Sequence, residues 1–340
     1  MSPIVSICIP SYNRPNELIR LLESIDVSCS KEIEIVICED NSPKRNEIQN
    51  KVEEFKINTI LDIQLNLNRD NLGYDGNLRN LINLAKGEYI IFMGDDDQFY
   101  TPNFLPFINF LKKNKSLGYI LKTHKYIHTN GQEEMFKYYP ETKFFKKGSG
   151  AYQELFRKSV FISGFCLKRE YALPYQTDRF DGGLLYQLYL LAEITLNHPS
   201  AYCDIPLTFQ DEQLRGKPMF GSSNAERLLY KPGEITVDNS LNFVDNFFSI
   251  TKYIDSKYHL KSTDYIRKDI SKYSYPILSI QRTKGRKIFK YYCNQLKIRI
   301  KINSSFYYYV YYYSLLVFGK SFCDQTIVRL KKTLGSTPNL

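Results

Sequence analysis

The sequence predicts an α/β fold with a mostly parallel central sheet and helices on both faces, followed by a helical region. Three observations carry this expectation. Over the first 125 residues, short apolar runs alternate with stretches of helical spacing, the pattern of successive strand-helix units. Polar residues stand directly after these runs: Ser11-Tyr12-Asn13 after the first, Glu39-Asp40 after the second, Asp95-Asp96-Asp97 after the fourth. In open parallel sheets ligands bind beyond the carboxyl ends of the strands, so this is where functional side chains belong. From about Gly221 the alternation stops.

Each element has a local reason. Ile4 to Ile9 is an apolar run ended by Pro10. Pro15 to Ile25 carries Leu18, Leu21, Leu22 and Ile25 at helical spacing, with Pro at its start. Ile33 to Cys38 is a second strand, stopped by Asn41-Ser42-Pro43. A polar helix precedes a third strand at Ile63 to Leu67. Tyr74 to Ala85 puts Leu78, Leu81, Ile82 and Ala85 on one face, and Tyr89 to Met93 is a fourth strand. Phe104, Phe107, Ile108 and Leu111 mark a helix, and Leu117 to Leu121 a fifth strand. Residues 126–160 are irregular. Phe161 to Leu167 reads as a strand, Leu184 to Leu196 as a helix, and Ala201 to Phe209 as a strand broken by Pro206. Asp238 to Tyr258 has the spacing of a long amphipathic helix.

Length and composition bound the function. The 340 residues allow about two domains and a core large enough to need no disulfide or metal staple. Hydrophobic residues at 43% and charged residues at 24% exclude wholesale disorder. Aromatics comprise 28 Tyr and 22 Phe with no Trp, so any base or sugar platform is Tyr or Phe. The seven cysteines form no CxxC pair and fit reduced cytosolic thiols. The chain opens on a strand-like run, which predicts no secretory signal, and no apolar run reaches the roughly 20 residues of a membrane span.

The three adjacent carboxylates Asp95-Asp96-Asp97 follow Met93-Gly94. Such groups repel one another unless a cation compensates them. Mg2+ or Mn2+ does so, favouring one or two carboxylates together with phosphate oxygens. A solvated acidic turn is the alternative, and the position at a strand's carboxyl end favours the ion. The four His show no metal-ligand spacing, and there is no Ser/His/Asp set or Walker-type loop.

Four ordered blocks bring these features together: Ile7-Cys8-Ile9-Pro10-Ser11-Tyr12-Asn13-Arg14, Val36-Ile37-Cys38-Glu39-Asp40-Asn41-Ser42, Asn71-Leu72-Gly73, and Gly87 through Asp97. They resemble the signature of family 2 glycosyltransferases of the bacterial surface-polysaccharide type, nucleotide-sugar enzymes of the GT-A fold. The resemblance covers residues 3–125 strongly and reaches to about 210. It implies that Tyr12 stacks on the nucleotide base, within a binding block of Pro10, Tyr12, Asn13 and Arg14. It implies that Asp40 accepts from base or ribose, that Asn71, Gly73 and Arg79 serve the donor, and that Asp95 and Asp96 touch the nucleotide sugar. Asp96 and Asp97 match the metal-binding pair, although Gly94 stands where the first Asp often sits. Arg79 reaches either diphosphate or a surface acid.

The family inverts the anomeric centre and needs a general base for the acceptor hydroxyl. It takes this from the start of a helix beyond a sixth strand. Here Asp181-Gly182-Gly183 would open the Leu184 helix, which makes Asp181 the expected base, Asp178 the runner-up and Glu193 the next. A helix cap is the other role open to Asp181. The family's paired Glu-Asp spelling is missing. Arg215, in the polar stretch Asp211 to Lys217, either closes over diphosphate or belongs to an ordinary loop.

The resemblance thus implies an inverting, metal-dependent transferase moving a sugar from a nucleoside-diphosphate sugar to a hydroxyl of a glycan or lipid-linked glycan. The expected domains are a GT-A-like catalytic domain at 1–220, with a nucleotide-sugar half at 1–125 and an acceptor half at 126–220, and a basic helical region at 221–340. Two rivals stand. A sugar-phosphate nucleotidyltransferase would show a Gly-rich, Arg/Lys-bearing loop after the first strand, which Ser11-Tyr12-Asn13-Arg14 lacks. A non-catalytic, membrane-associated glycan- or nucleotide-binding module need not keep the Asp positions.

Charge is uneven. From residue 251 onward there are 18 Lys/Arg against 4 Asp/Glu, whereas the first 250 residues hold 28 against 32. No acidic residue falls between Asp269 and Asp324, and that window contains the aromatic run Phe306 to Phe318. Basic residues with amphipathic aromatics suit an anionic membrane surface, here through residues 270–332. A helical hairpin packing its tyrosines inward is the alternative. No nucleic-acid module is readable. The expected location is cytoplasmic, on the inner face of the plasma membrane if the tail docks there.

Overall fold

The computed structural model describes residues 2–334. The chain forms two compact units, one up to Leu228 and one from Leu229 onward. The expected boundary at 220/221 lies too early, because the carboxylate of Glu226 accepts from the backbone N–H of Gly221 (2.8 Å) and of Tyr74 (2.8 Å) and ties this stretch to the first unit.

The first unit is built on β1 (Val5–Ser11), β2 (Ile33–Glu39), β3 (Ile63–Leu67) and β4 (Tyr89–Phe92). These lie side by side in the order β3-β2-β1-β4, all parallel. Between them run α1 (Pro15–Glu23), α2 (Arg45–Ile57) and α3 (Gly73–Leu84). Side chains alternate across β1, so Val5, Ile7 and Ile9 join Leu18, Leu21, Leu22, Ile48 and Val52 in one core. Cys8 faces the other way and meets the Leu81 carbonyl of α3. Apolar residues three and four apart give each helix one buried stripe, and this places helices on both faces.

The sheet continues through β5 (Gln98–Phe99), β6 (Tyr119–Ile127), β7 (Glu133–Phe136), β8 (Lys143–Phe145), β9 (Phe165–Lys168) and β10 (Ser200–Asp211). The main path is β3-β2-β1-β4-β9-β6-β10-β5. β9 is antiparallel to both β4 and β6, while β6 and β10 are parallel. The predicted strand at Phe161 is thus shortened: Ile162–Gly164 is a 3-10 turn, and extended backbone begins at Phe165. The β6–β10 register shifts between Cys203 and Thr208, around Pro206, which has no N–H to give to a ladder. The helices here are α4 (Phe104–Lys113), α5 (Ser149–Leu155), α6 (Arg169–Ala172), α7 (Tyr186–Asn197) and α8 (Asn224–Arg227).

The second unit is helical: α9 (Val237–Tyr258), α10 (Ser262–Lys272), α11 (Tyr275–Ser279), α12 (Arg286–Gln295), a π-helical turn at Leu296–Ile300, α13 (Phe306–Phe318) and α14 (Lys320–Leu334). Thr236 caps α9 by accepting from Asn239 N–H, and His259 ends it in the left-handed region at φ 54°. Ser305 caps α13. No helix among the described residues is long and apolar enough to cross a membrane. All seven cysteines are buried free thiols.

Candidate functional site

A cavity of about 180 Å³ opens at the carboxyl ends of β1, β2 and β4, bounded by the start of α3. Of the residues singled out from sequence, Pro10, Tyr12, Arg14, Asp40, Asn71, Gly73, Asp95 and Asp96 line it. The turns that follow β1 and β2 both need a left-handed residue, and Asn supplies it at Asn13 (φ 62°) and Asn41 (φ 53°).

Asp40 organises the rim of α3. Its Oδ1 accepts from Leu72 N–H at 2.9 Å and Asn68 Nδ2 at 2.8 Å, and its Oδ2 from Gly73 N–H at 2.9 Å. Burial pushes its carboxyl up to about 6, against the pull of these donors. Gly73 sits at φ +73°. A Cβ there would overlap Ser223 Oγ and come within 3.0 Å of Glu226 Oε1, so only glycine fits. Asn71 closes the same corner: Oδ1 accepts from Gly73 N–H at 3.0 Å, and Nδ2 donates to Ser222 Oγ at 3.3 Å.

The three aspartates do different things. Asp95 is 4% exposed and pairs with Arg14 Nη1 at 2.7 Å, while its Oδ2 accepts from Tyr12 N–H at 3.2 Å. Asp96 lies 3.2 Å from the same Arg14 nitrogen and faces the cavity. Asp97, the other member of the expected metal pair, is not among the lining residues; it is 2% exposed and accepts from Ser163 Oγ. Burial, then repulsion from Asp96, pushes Asp97 up to about 7. Burial, partly offset by Arg14, holds Asp95 near 6.

Ser163 is a hub that sequence reading missed. Its Oγ also accepts from Gly94 N–H at 2.9 Å, and its carbonyl accepts from Lys122 Nζ at 2.9 Å and Thr208 Oγ1 at 2.9 Å. The turn after β4 is thereby fixed to β6 and β10. Lys122 is wholly buried, and burial lowers its ammonium to about 8. A lysine inside a predicted strand end gives no sequence signal of this kind. The clamp at Glu226 was readable, because Ser223-Asn224-Ala225-Glu226 has the S-x-x-E spacing of a capping box, which forms.

Asp181 lies outside the cavity lining and does not open the following helix. That helix starts at Tyr186, and Asp75 of α3 accepts from the N–H groups of Leu184 (2.9 Å) and Tyr186 (3.0 Å) in the cap's place. Asp181 instead grips Arg79 with both oxygens, the second at 2.6 Å from Nη2. Arg79 therefore pairs with an acid and also donates to Thr177 O at 3.1 Å. Asp178 is exposed and Glu193 is buried at 0%, neither in the lining. Arg215 is exposed, while its neighbours close on the site: Arg14 Nη2 donates to Lys217 O at 2.6 Å, and Met219 and Ser222 line the cavity.

Among the described residues no group of three or more His, Cys, Asp or Glu side chains is arranged to hold a metal ion by itself. The donor set still fits one. One guanidinium, Arg14, pairs with two carboxylates, Asp95 and Asp96, so negative charge remains on the cavity side at Asp96, and phosphate oxygens would complete the shell of a hard divalent ion.

Residues 6–171 match the family model described as Glycosyl transferase family 2. Abequosyltransferase RfbV of Salmonella typhimurium strain LT2 is 32% identical over 94 residues, 28% of either chain. The Escherichia coli protein WfaP, named a UDP-Glc:alpha-D-GlcNAc-diphosphoundecaprenol beta-1,3-glucosyltransferase, is 32% identical over 113 residues, 33% of this chain and 43% of its own. The matches thus span less than half the length of these relatives. The solved structure of S. aureus TarS 1–349 in complex with UDP-GlcNAc aligns at a TM-score of 0.54 with 13% identity, over 90% of this chain and 79% of that one, and this likeness bears on the fold. Residues 6–171, which carry most of the strands and turns that build the cavity, are thus a glycosyltransferase family 2 domain, and the fold is of the GT-A kind.

Proposed function

We propose that this protein is an inverting glycosyltransferase that moves a sugar from a nucleoside-diphosphate sugar to a hydroxyl of a glycan or lipid-linked glycan in surface polysaccharide biosynthesis. The observation that carries the reading is the cavity lined together by Tyr12, Asp40, Gly73, Arg14, Asp95 and Asp96. An aromatic face and a carboxylate suit a base and ribose, and a cation beside an excess of carboxylates suits a diphosphate held with a divalent ion. WfaP and TarS bring the sugar-nucleotide and lipid-diphosphate classes to this chain as expectations.

Asp96 would hold Mg2+ or Mn2+ together with donor phosphate oxygens, and when bound that ion offsets charge on the departing diphosphate. Arg14 orients Asp95 and Asp96 and neutralises part of their charge. Asp181 is assigned the acceptor proton. Both of its oxygens engage Arg79, so it accepts a proton by releasing one of them while Arg79 keeps the carboxylate oriented. The acceptor hydroxyl then attacks the anomeric carbon from the face opposite the diphosphate.

The second unit is the proposed contact with an anionic membrane surface. On α13, Phe306 (76%), Val310 (40%), Tyr313 (59%) and Val317 (58%) are exposed at helical spacing along one stripe, within the segment that lacks acidic residues. Phe306 and Tyr313 on this stripe support membrane contact, while Tyr308, Tyr311 and Tyr312 pack inward, so α13 divides its aromatics between the two roles. A screen of nucleotide sugars for metal-dependent binding and slow hydrolysis tests the transferase reading. Turnover of one donor with Mg2+ or Mn2+ and its loss in chelator are expected; binding of none would refute it.

A further inference from the structure

The second unit holds a polar cleft of about 240 Å³ between α9, α10 and the π-helical turn, which shares no residue with the first unit's cavity or with the exposed stripe of α13. Its volume is several times the roughly 30 Å³ of one water. Lys252, Arg267 and Arg299 line it, against a single lining carboxylate, Asp245.

The arginines are held in place by contacts that leave donors over. Arg267 Nε donates to Ile300 O at 3.1 Å, and its guanidinium lies 5.2 Å from the centre of the Phe248 ring. Its Nη1 pairs with Asp264, whose side chain is 86% exposed, a pairing of the weak surface kind. The guanidinium plane is therefore fixed before any ligand arrives, which suits the fork geometry that binds phosphate oxygens. Arg299 pairs with Asp245, and no carboxylate is paired with Lys252 among the described residues. The backbone is shaped for this arrangement. Leu296–Ile300 is π-helical and ends on Lys301 at φ 58°, which offers the Ile300 carbonyl to Arg267 and sets Arg299 on the cleft wall. π-Turns are rare and frequent at functional sites.

We propose that this cleft is an oxyanion site that takes a phosphate or diphosphate group, with Lys252 and Arg267 as the first contacts and Arg299 joining as it leaves Asp245. The group is either soluble or carried on a lipid, and the chemistry of recognition is the same.

Calorimetry of the full-length protein with inorganic pyrophosphate tests this, with far-UV circular dichroism as the folding control. Lys252→Gln with Arg299→Gln should weaken one binding equivalent about 10-fold or more. Asp245→Asn should tighten the same equivalent about 3-fold or more, because it releases Arg299, and a misfolded variant cannot mimic a gain. Donor hydrolysis should be unchanged in both. Competition by vesicles bearing a polyprenyl phosphate, beyond that of phosphatidylglycerol vesicles of equal charge, would assign the group to a lipid. Competition by soluble phosphates alone would assign it to a free anion. Identical pyrophosphate stoichiometry and affinity in wild type and both variants would overturn the site. The readout is binding, so it stands apart from whether the first unit transfers sugar.

Discussion

Replacing Gly73 by Ala should both loosen the first unit and spoil the cavity. The position has φ +73°, where an L side chain costs about 1–2 kcal/mol. The new Cβ would also overlap Ser223 Oγ and approach Glu226 Oε1, pushing away the carboxylate that accepts from Tyr74 N–H at 2.8 Å. A lost hydrogen bond to a charged group adds about 1.5–3 kcal/mol. The expected destabilisation is therefore about 2.5–5 kcal/mol. Hydrogen exchange of β1 and β2 peptides across a urea series reports the first unit separately and reads this directly. Adding Ser223→Gly removes the overlapping Ser223 atoms and costs only a few tenths as a cap change, so the double variant should recover part of the loss, the φ cost and the approach to Glu226 Oε1 remaining. A loss under 1 kcal/mol for Gly73→Ala, or no relief from Ser223→Gly, would refute the packing argument.

Asp96→Asn should lower transfer more than about 10²-fold, while Asp97→Asn, outside the cavity lining, should cost less than about 10-fold; initial rates over a Mg2+ series separate them, and the reverse order would move the metal site to Asp97. Asp181→Asn should slow transfer about 10²-fold or more with donor affinity little changed; normal transfer by it and loss in Asp178→Asn would pass the role to the runner-up. Burial raises Asp75 to about 7, above its ordinary value near 4. The folded state then binds an extra proton across that window, so this group's contribution falls as pH rises from about 4 to about 7. Asp75→Asn should flatten the decline in thermal midpoint over that range, and parallel curves would count against it. Val310→Ser with Tyr313→Ser and Val317→Ser should reduce sedimentation with anionic liposomes, and binding should weaken as salt shortens the Debye length from about 10 Å at 0.1 M to about 3 Å at 1 M; equal binding by the variant would favour a purely structural α13.

Much of the first unit was legible because its strands are buried on both faces and its helices on one. The run Ile33 to Cys38 and the spacing of Leu18, Leu21 and Leu22 have few other solutions. The third strand and α13 fall on the residues read from sequence. What failed was decided by tertiary context. β6 runs on past Leu121 through Lys122 and His124, polar residues that read as a strand's end but are buried at 0% and 6%. The antiparallel direction of β9 is a property of pairing and leaves no local trace. At the site, the turns after β1, β2 and β4 were legible as Asn and Asp clusters following apolar runs. Which aspartate faces the cavity depends on Ser163, 66 residues from Asp97 in sequence. The capture of Asp181 by Arg79 joins residues 102 apart, and no spacing rule announces it.

The insertion of β9 between β4 and β6 also bears on how this protein comes off a ribosome. β4 completes the four parallel strands at Phe92, yet its free side is covered only when Phe165–Lys168 emerges. At about 5–20 residues per second, the roughly seventy intervening residues take about 4–15 s to synthesise. Through that interval the nascent chain presents an unpaired, wholly apolar edge, Tyr89-Ile90-Ile91-Phe92, the kind of edge that templates pairing between chains. Yield from heterologous expression should therefore depend on translation speed and on holdase chaperones more than on the melting temperature of the finished molecule.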